Sequence, residues 1–324
     1  MTVDAKILSA LRSADKTGIG TAALAAQVGE NAASINHRVS ELCRLGYEIE
    51  STPHFGYRLL NTPDVLHADD LLSRLPPSRV IGRDIRVFQE TSSTNDVAER
   101  MARDGVAEGV VVFAESQSKG RGRLGRKWIS PPGQGLWFSI LLRPQLPPGS
   151  VTQLTIAAAT AVARAIRSQT GLVPQIKWPN DIWIQNKKVA GILTELSAEL
   201  DRVRYVVIGI GVDVNVREFP PELRGVAASL SEIAGRDFVR AEVASAILQE
   251  LDADYARIKH GEFATLAEEW EQQCITLGQR VQIHIGDRIL TGRAESLDND
   301  GALLLRTDYG RLERIVGGDV VLEK

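Results

Sequence analysis

Cysteine is nearly absent from this chain: two residues, Cys43 and Cys274, among 324. They lie far apart, without metal-ligand spacing, so the sequence offers neither a disulfide framework nor a zinc-type cluster. Each reads as a small hydrophobe, and no metal ligands are assigned. A run of about 18 apolar residues is also missing, which excludes a membrane-spanning helix and a membrane partner. The opening stretch MTVDAKILSALRSAD is broken by charge and does not read as a signal peptide; the expected compartment is the cytoplasm. Charge of one sign is lacking too. The 38 Lys and Arg against 41 Asp and Glu leave a net −3, so any site for anions or nucleic acid has to arise from local clustering.

What is present divides into three patterns. Residues 1–62 read helix, helix, turn at Gly29, helix, then two short alternating strands around TPHFG, the order of a winged helix-turn-helix. A proline-bearing connection with one short helix follows. Residues 80–272 alternate apolar strands such as GVVVFAES and GLWFSILL with amphipathic helices. From 275 to 324, short strands are split by GD, NDG and DYG turns, as in a small β-barrel. The expected class is α+β, with the small barrel packed on the middle domain.

The stretch KGRGRLGRKW, Lys119–Trp128, carries five cations, three glycines and no acid. Its GRGRLG matches a dinucleotide fingerprint, but that motif needs a helix directly after the glycines. Pro131, Pro132, Gly133 and Gly135 forbid one, and the next element is a strand. A strand–loop–strand order remains, with Arg121, Arg123, Arg126 and Lys127 closely spaced. Backbone N–H groups and cations there suit an anion, and without one, repulsion and entropy should leave the loop disordered. A solvated hairpin tip and a nucleic-acid patch are the alternatives. KWPNDIWIQNKKVAGIL reads as a hairpin about a tight Asn186–Lys187 turn, with Lys188 opposite Gln185. Gly191 marks a close approach by a ligand or backbone inside the returning strand. TSSTND opens a helix, where Ser93 and Asp96 fit a capping box, or Ser93, Thr94 and Asn95 face a polar ligand.

Taken together, SSTN, AESQSKGRGRLGRKW, KWPNDIWIQNKKVAGIL and VIGIGVDVNV resemble biotin–protein ligases, and the winged helix extends the likeness to the bifunctional ligase/repressor type. The resemblance implies a mixed-sheet ligase domain and an SH3-like C-terminal barrel. It implies ATP, Mg²⁺ and biotin as reactants, biotinyl-5′-AMP as intermediate, and a lysine of the biotin carboxyl carrier protein of acetyl-CoA carboxylase as acceptor. It also implies operator DNA and a homodimer in the adenylate-bound form. By the same likeness Ser93, Thr94, Asn95, Gln117, Arg121, Gly122, Arg123 and Lys188 bind biotin. Gly120, Arg121, Gly122, Arg123, Gly125, Trp128, Asn180 and Asn215 hold the nucleotide. Lys188 and Arg123 serve the chemistry, and Asp181 positions the incoming amine or a metal. Where the pattern G-I-G-x-N-x-N has its earlier Asn, this chain has Asp213. Asn31, Ser34, Asn36, His37 and Arg38 are the DNA-contact candidates, although six cations and six anions make residues 1–62 neutral and the wing lacks a basic residue. A ligand-sensing transcription factor without catalysis and a ligase for lipoate are the competing readings.

Overall fold

Ile7, Leu8 and Leu11 recur at helical spacing, and in the computed structural model, which describes residues 1–52 and 56–322, they form the buried face of α1 (Val3–Ala14). Thr2 caps this helix, its Oγ1 accepting the Ala5 N–H at 3.2 Å. α2 (Thr21–Val28) stops at Gly29, whose φ of 81° supplies the left-handed residue a helix C-terminus favours. α3 (Ala32–Arg44) starts on Asn31, whose Oδ1 accepts the Ser34 N–H at 2.9 Å. The hairpin β1 (Glu48–Thr52) and β2 (Gly56–Asn61) brings Tyr57 onto the core of Leu8, Leu24, Ile35 and Leu42.

The next helix, α4 (Ala68–Arg74), is more than a connection. Its Asp70, 3 % exposed, pairs with Arg12 of α1 and with Arg74 at 3.0 Å. An acid so buried must keep its cations, so α4 belongs with α1. The chain accordingly divides at Pro77: Met1–Pro77 is one unit and Ser78–Lys324 the other.

The second unit is built on seven strands: β3 (Asp84–Thr91), β4 (Val110–Gln117), β5 (Leu136–Leu142), β6 (Gln175–Lys177), β7 (Asp181–Ile184), β8 (Lys187–Ala198) and β9 (Val203–Val212). Their order across the sheet is β3-β4-β5-β9-β8-β7-β6. Only β3 and β4 are parallel neighbours, and the crossover between them is α5 (Thr94–Arg103). Ala98 and Ala102 of α5 pack on Val112, Leu141 and Val207. The alanine-rich α6 (Thr152–Thr170) is buried along most of its length. After β9 come α7 (Leu230–Ala234), α8 (Arg240–Lys259) and α9 (Phe263–Gln273). Arg164 of α6 reaches Glu250 and Asp254 of α8 and Glu269 of α9, at 2.5–2.8 Å.

A five-stranded antiparallel sheet closes the chain: β10 (Arg280–Ile285), β11 (Arg288–Leu297), β12 (Leu303–Thr307), β13 (Leu312–Ile315) and β14 (Asp319–Leu322), in the order β13-β12-β11-β10-β14. Glu271 of α9 accepts the Leu297 N–H at 2.8 Å and fastens this sheet to the rest of its unit.

The β7–β8 hairpin departs from the expected register. Its turn residues are Gln185 and Asn186, both at positive φ (50° and 62°), so Ile184 faces Lys187 and Trp183 faces Lys188. Two left-handed residues are what a two-residue hairpin turn requires. The turn therefore falls one position earlier than Asn186–Lys187.

Candidate active site

The start of α5 and the end of β4 meet in a neutral polar cluster. Thr94 donates its N–H and its hydroxyl to Gln117 Oε1, at 2.8 and 3.2 Å, and Gln117 Nε2 donates to Ser130 Oγ at 2.9 Å. Asn95 Nδ2 donates to Glu195 of β8 at 2.7 Å, and its amide lies over Gly209, where an added Cβ would collide with it. Ser93 occupies the N-cap position of α5, yet its hydroxyl makes no capping bond. The capping-box expectation is thus corrected: Asp96 takes a charged partner, Arg121, at 2.6 Å, and buried Ser93 faces the cavity.

At the other end the hairpin supplies charge. Lys188 Nζ lies 2.6 Å from Asp181 Oδ1 and 5.3 Å above the Trp128 ring. That indole rests on the backbone of Gly191 and Gly211. A Cβ would stand 2.9 Å from the ring at Gly191 and 2.6 Å from its Nε1 at Gly211, so a side chain at either position would displace the indole. The close approach at Gly191 is therefore to an indole side chain, not to backbone or a ligand as expected.

The arginine loop is less self-repelling than its composition suggests. Arg121 reaches Asp96 and, at 3.4 Å, Glu195. Arg123 donates to Asn180 Oδ1 at 3.1 Å, and Asn180 Nδ2 donates to the Ile192 carbonyl at 2.7 Å. Arg126 pairs two-pronged with Asp319 of β14, one contact at 2.9 Å. Acids and an amide from four other segments thus offset the repulsion, a term invisible in the ten residues themselves. Burial lowers the Arg123 guanidinium below its ordinary range, with Asp319 and Asp181 opposing it. Burial likewise depresses the Lys177 ammonium, which lies 4.7 Å from the Trp183 ring.

Between these elements lies a cavity of about 380 Å³. Of the expected residues, Ser93, Thr94, Asn95, Gln117, Arg121, Gly122, Arg123, Trp128, Asn180, Asp181 and Lys188 share its wall. Gly120 and Gly125 act behind it: a Cβ on Gly120 would press on the Trp128 carbonyl at 2.5 Å, and Gly125 turns the loop at φ 75°. Asn215 is a correction. Its amide donates to the Phe238 carbonyl at 2.9 Å and accepts the Phe238 N–H at 3.1 Å, so it braces the segment before α8 and is spent. Asp213, two residues earlier, lines the cavity instead, and burial raises its carboxyl well above the usual range against the pull of Lys188. Arg126, expected as one of the loop cations, lines the cavity too, whereas Lys177 and Asp319 were missed: the first stands inside a quoted motif, and Asp319 carries no local signal.

In the first unit, Asn31 is occupied as the cap of α3, and Asn36 Oδ1 accepts the Tyr57 hydroxyl at 2.7 Å. Arg38 lies 3.5 Å from Asp4, and His37 3.9 Å from Glu41. Ser34 is half-buried, whereas Asn36, His37 and Arg38 remain exposed. The tip of the expected wing, 53–55, lies outside the described residues.

Comparisons with known proteins identify the family. The Biotin/lipoate A/B protein ligase family model matches residues 87–213, and the Biotin protein ligase C terminal domain model matches 276–323. The bifunctional ligase/repressor BirA of Bacillus subtilis (strain 168) is 38% identical over 286 residues, 88% of this chain and 87% of that protein. The Escherichia coli (strain K12) protein of the same name is 29% identical, over 91% of this chain and 90% of its own length. The Aquifex aeolicus biotin protein ligase solved in complex with biotin and ATP superposes with a TM-score of 0.64 at 33% identity, covering 75% of this chain and 99% of that one.

Proposed function

This chain belongs to the family of biotin protein ligases, and from that premise we propose how its cavity joins biotin to ATP and passes the product on. The observation that carries the reading is one cavity lined both by neutral polar groups, Ser93 to Asn95 with Gln117, and by cations, Lys188 with Arg121 and Arg123. A ureido head needs donors and acceptors without charge. A carboxylate meeting a phosphate needs cations.

In the first step the biotin carboxylate oxygen attacks the α-phosphorus of ATP and pyrophosphate leaves. Two anions approach each other there, and phosphoryl transfer is chiefly positioning and charge neutralisation. Lys188, held by Asp181, supplies a fixed positive charge at that junction, and Arg121 and Arg123 hold the phosphate from the loop side. Bound together with the nucleotide, Mg²⁺ would supply further neutralisation of its phosphates. Among the described residues no three His, Cys, Asp or Glu side chains gather to hold a metal by themselves. Trp128 and the loop keep water from the mixed anhydride. In the second step a lysine amine of a carrier protein attacks the biotinyl carbonyl, AMP departs, and Asp181 accepts the amine's proton.

The first unit carries the regulatory half of the proposal: operator DNA bound through α3, with dimerisation promoted by biotinyl-5′-AMP. The relative from Bacillus subtilis, named a ligase/repressor, is matched over 88% of this chain, which supports it. Among the described residues no helix is long and apolar enough to cross a membrane.

The test is transfer of labelled biotin to a purified biotin carboxyl carrier domain with ATP. Label on the acceptor lysine, with pyrophosphate released, is the expected result. Tight biotin binding without pyrophosphate would instead make the chain a sensor, and preference for lipoate would reassign the acyl group.

A further inference from the structure

Asp213 follows directly on β9 and is pinned on both sides by its backbone. Its N–H donates to the Val189 carbonyl of β8 at 2.9 Å, and its carbonyl accepts the Leu230 N–H of α7 at 2.8 Å. Its backbone is therefore held in place, and the residue lines the cavity. The residue is 5 % exposed and lines the cavity, so what fills the cavity meets it.

The charges around it decide its form. From β8 it feels Lys188, whose ammonium already touches Asp181 of β7 at 2.6 Å. From α7, Glu232 is turned to the surface and tied to Lys187 at 2.9 Å. Among the described residues, the cation acting on Asp213 is thus shared with a second acid. Burial, the largest influence, favours the uncharged carboxyl.

We propose that Asp213 reads the nucleotide as a neutral carboxylic acid, its O–H donating and its C=O accepting, so that nucleotide affinity falls as the pH rises. A neutral acid and a carboxamide present similar donor–acceptor edges. Only the acid can lose its donor, and the carboxylate so formed sits beside phosphates. The identity of the ligand as ATP rests on the ligase reading above; the state of the carboxyl does not.

The experiment compares the full-length protein with its Asp213→Asn variant. Pyrophosphate release gives KM for ATP and for biotin between pH 6 and pH 9. The expected wild-type KM for ATP climbs towards tenfold per pH unit above the carboxyl's apparent pKa, while KM for biotin follows a pH profile common to both proteins. The variant loses the ATP trend. Equal ATP profiles in the two proteins overturn the proposal.

A second readout needs no activity. An acid whose folded pKa is raised binds more protons folded than unfolded, so stability drains away as the pH rises from the unfolded pKa towards the folded one. The melting temperature of Asp213→Asn should therefore exceed that of the wild type by a margin that widens with pH over that window. A margin independent of pH overturns the proposal even where the ligase assay succeeds. Should the variant not fold, infrared spectra of the wild type decide: a protonated carboxyl band at neutral pH that vanishes on alkalinisation supports the proposal, and its absence refutes it.

Discussion

Adjacent lysines on β8 provide a sharp contrast. Lys188 points into the cavity against Asp181, whereas Lys187 pairs with Glu232 at the surface, where those side chains are 36% and 49% exposed. Consider Lys188→Ala. At about 4 Å and an effective dielectric of about 20, a unit positive charge is worth about 4 kcal/mol to a unit negative charge. Charge builds only partly at the junction of carboxylate and phosphate, and Arg121 and Arg123 remain. A loss of about 3–4 kcal/mol in the transition state follows, or about 10²–10³ in the rate of adenylate formation. The cost in stability should be small, about 1 kcal/mol or less, because the Lys188–Asp181 pair keeps some contact with solvent. The assay is single-turnover formation of biotinyl-5′-AMP, with melting curves alongside. Lys187→Ala is the control and should stay within about twofold. A Lys188→Ala rate within threefold of the wild type, in a folded protein, would refute the role given to this charge.

Gly211→Ala puts a Cβ where the indole of Trp128 lies; displacement of the ring should admit water and shorten the life of the adenylate, measured as its hydrolysis on the enzyme. Arg123→Gly removes the contact to Asn180 and should speed release of the adenylate about 10–100-fold, the value of a charge-assisted hydrogen bond of about 1.5–3 kcal/mol; stopped-flow release at the wild-type rate would count against it. Because residues 1–62 carry six cations and six anions, and Arg38 already faces Asp4, few phosphates can be neutralised by each protomer. The slope of log K against log salt for operator binding should be shallow, about −3 or less steep per protomer, and a slope near −8 would mean that the contact surface lies elsewhere.

Much of the site was legible because its chemistry sits in contiguous motifs. Strand–loop–strand order around Lys119–Trp128 excluded a dinucleotide fold, and the glycine at 191 announced a close approach. What escaped depended on partners distant in sequence. Nothing near residue 319 signals that Asp319 meets Arg126, 193 residues earlier. The loop consequently looked more self-repelling than it is. Asn215 and Asp213 both fit the strand-end motif, and only the bonds to Phe238 separate the bracing residue from the one that faces the cavity. The hairpin slipped by one because Gln185, a residue without the special tolerance of Asn for positive φ, takes that conformation here. α4 read as part of a connector because its pairing partner, Arg12, lies far off in sequence and nothing near Asp70 signals it.

The central claim is that the arginine loop folds over an acyl phosphate and shields it until an amine arrives. A crystal structure with biotinyl-5′-AMP tests this most directly. The account predicts the biotin head among Ser93, Thr94, Asn95 and Gln117, with the phosphate bonded to Arg121 or Arg123 and near Lys188. An adenylate bound outside this cavity, making no contact with residues 119–128, would contradict it.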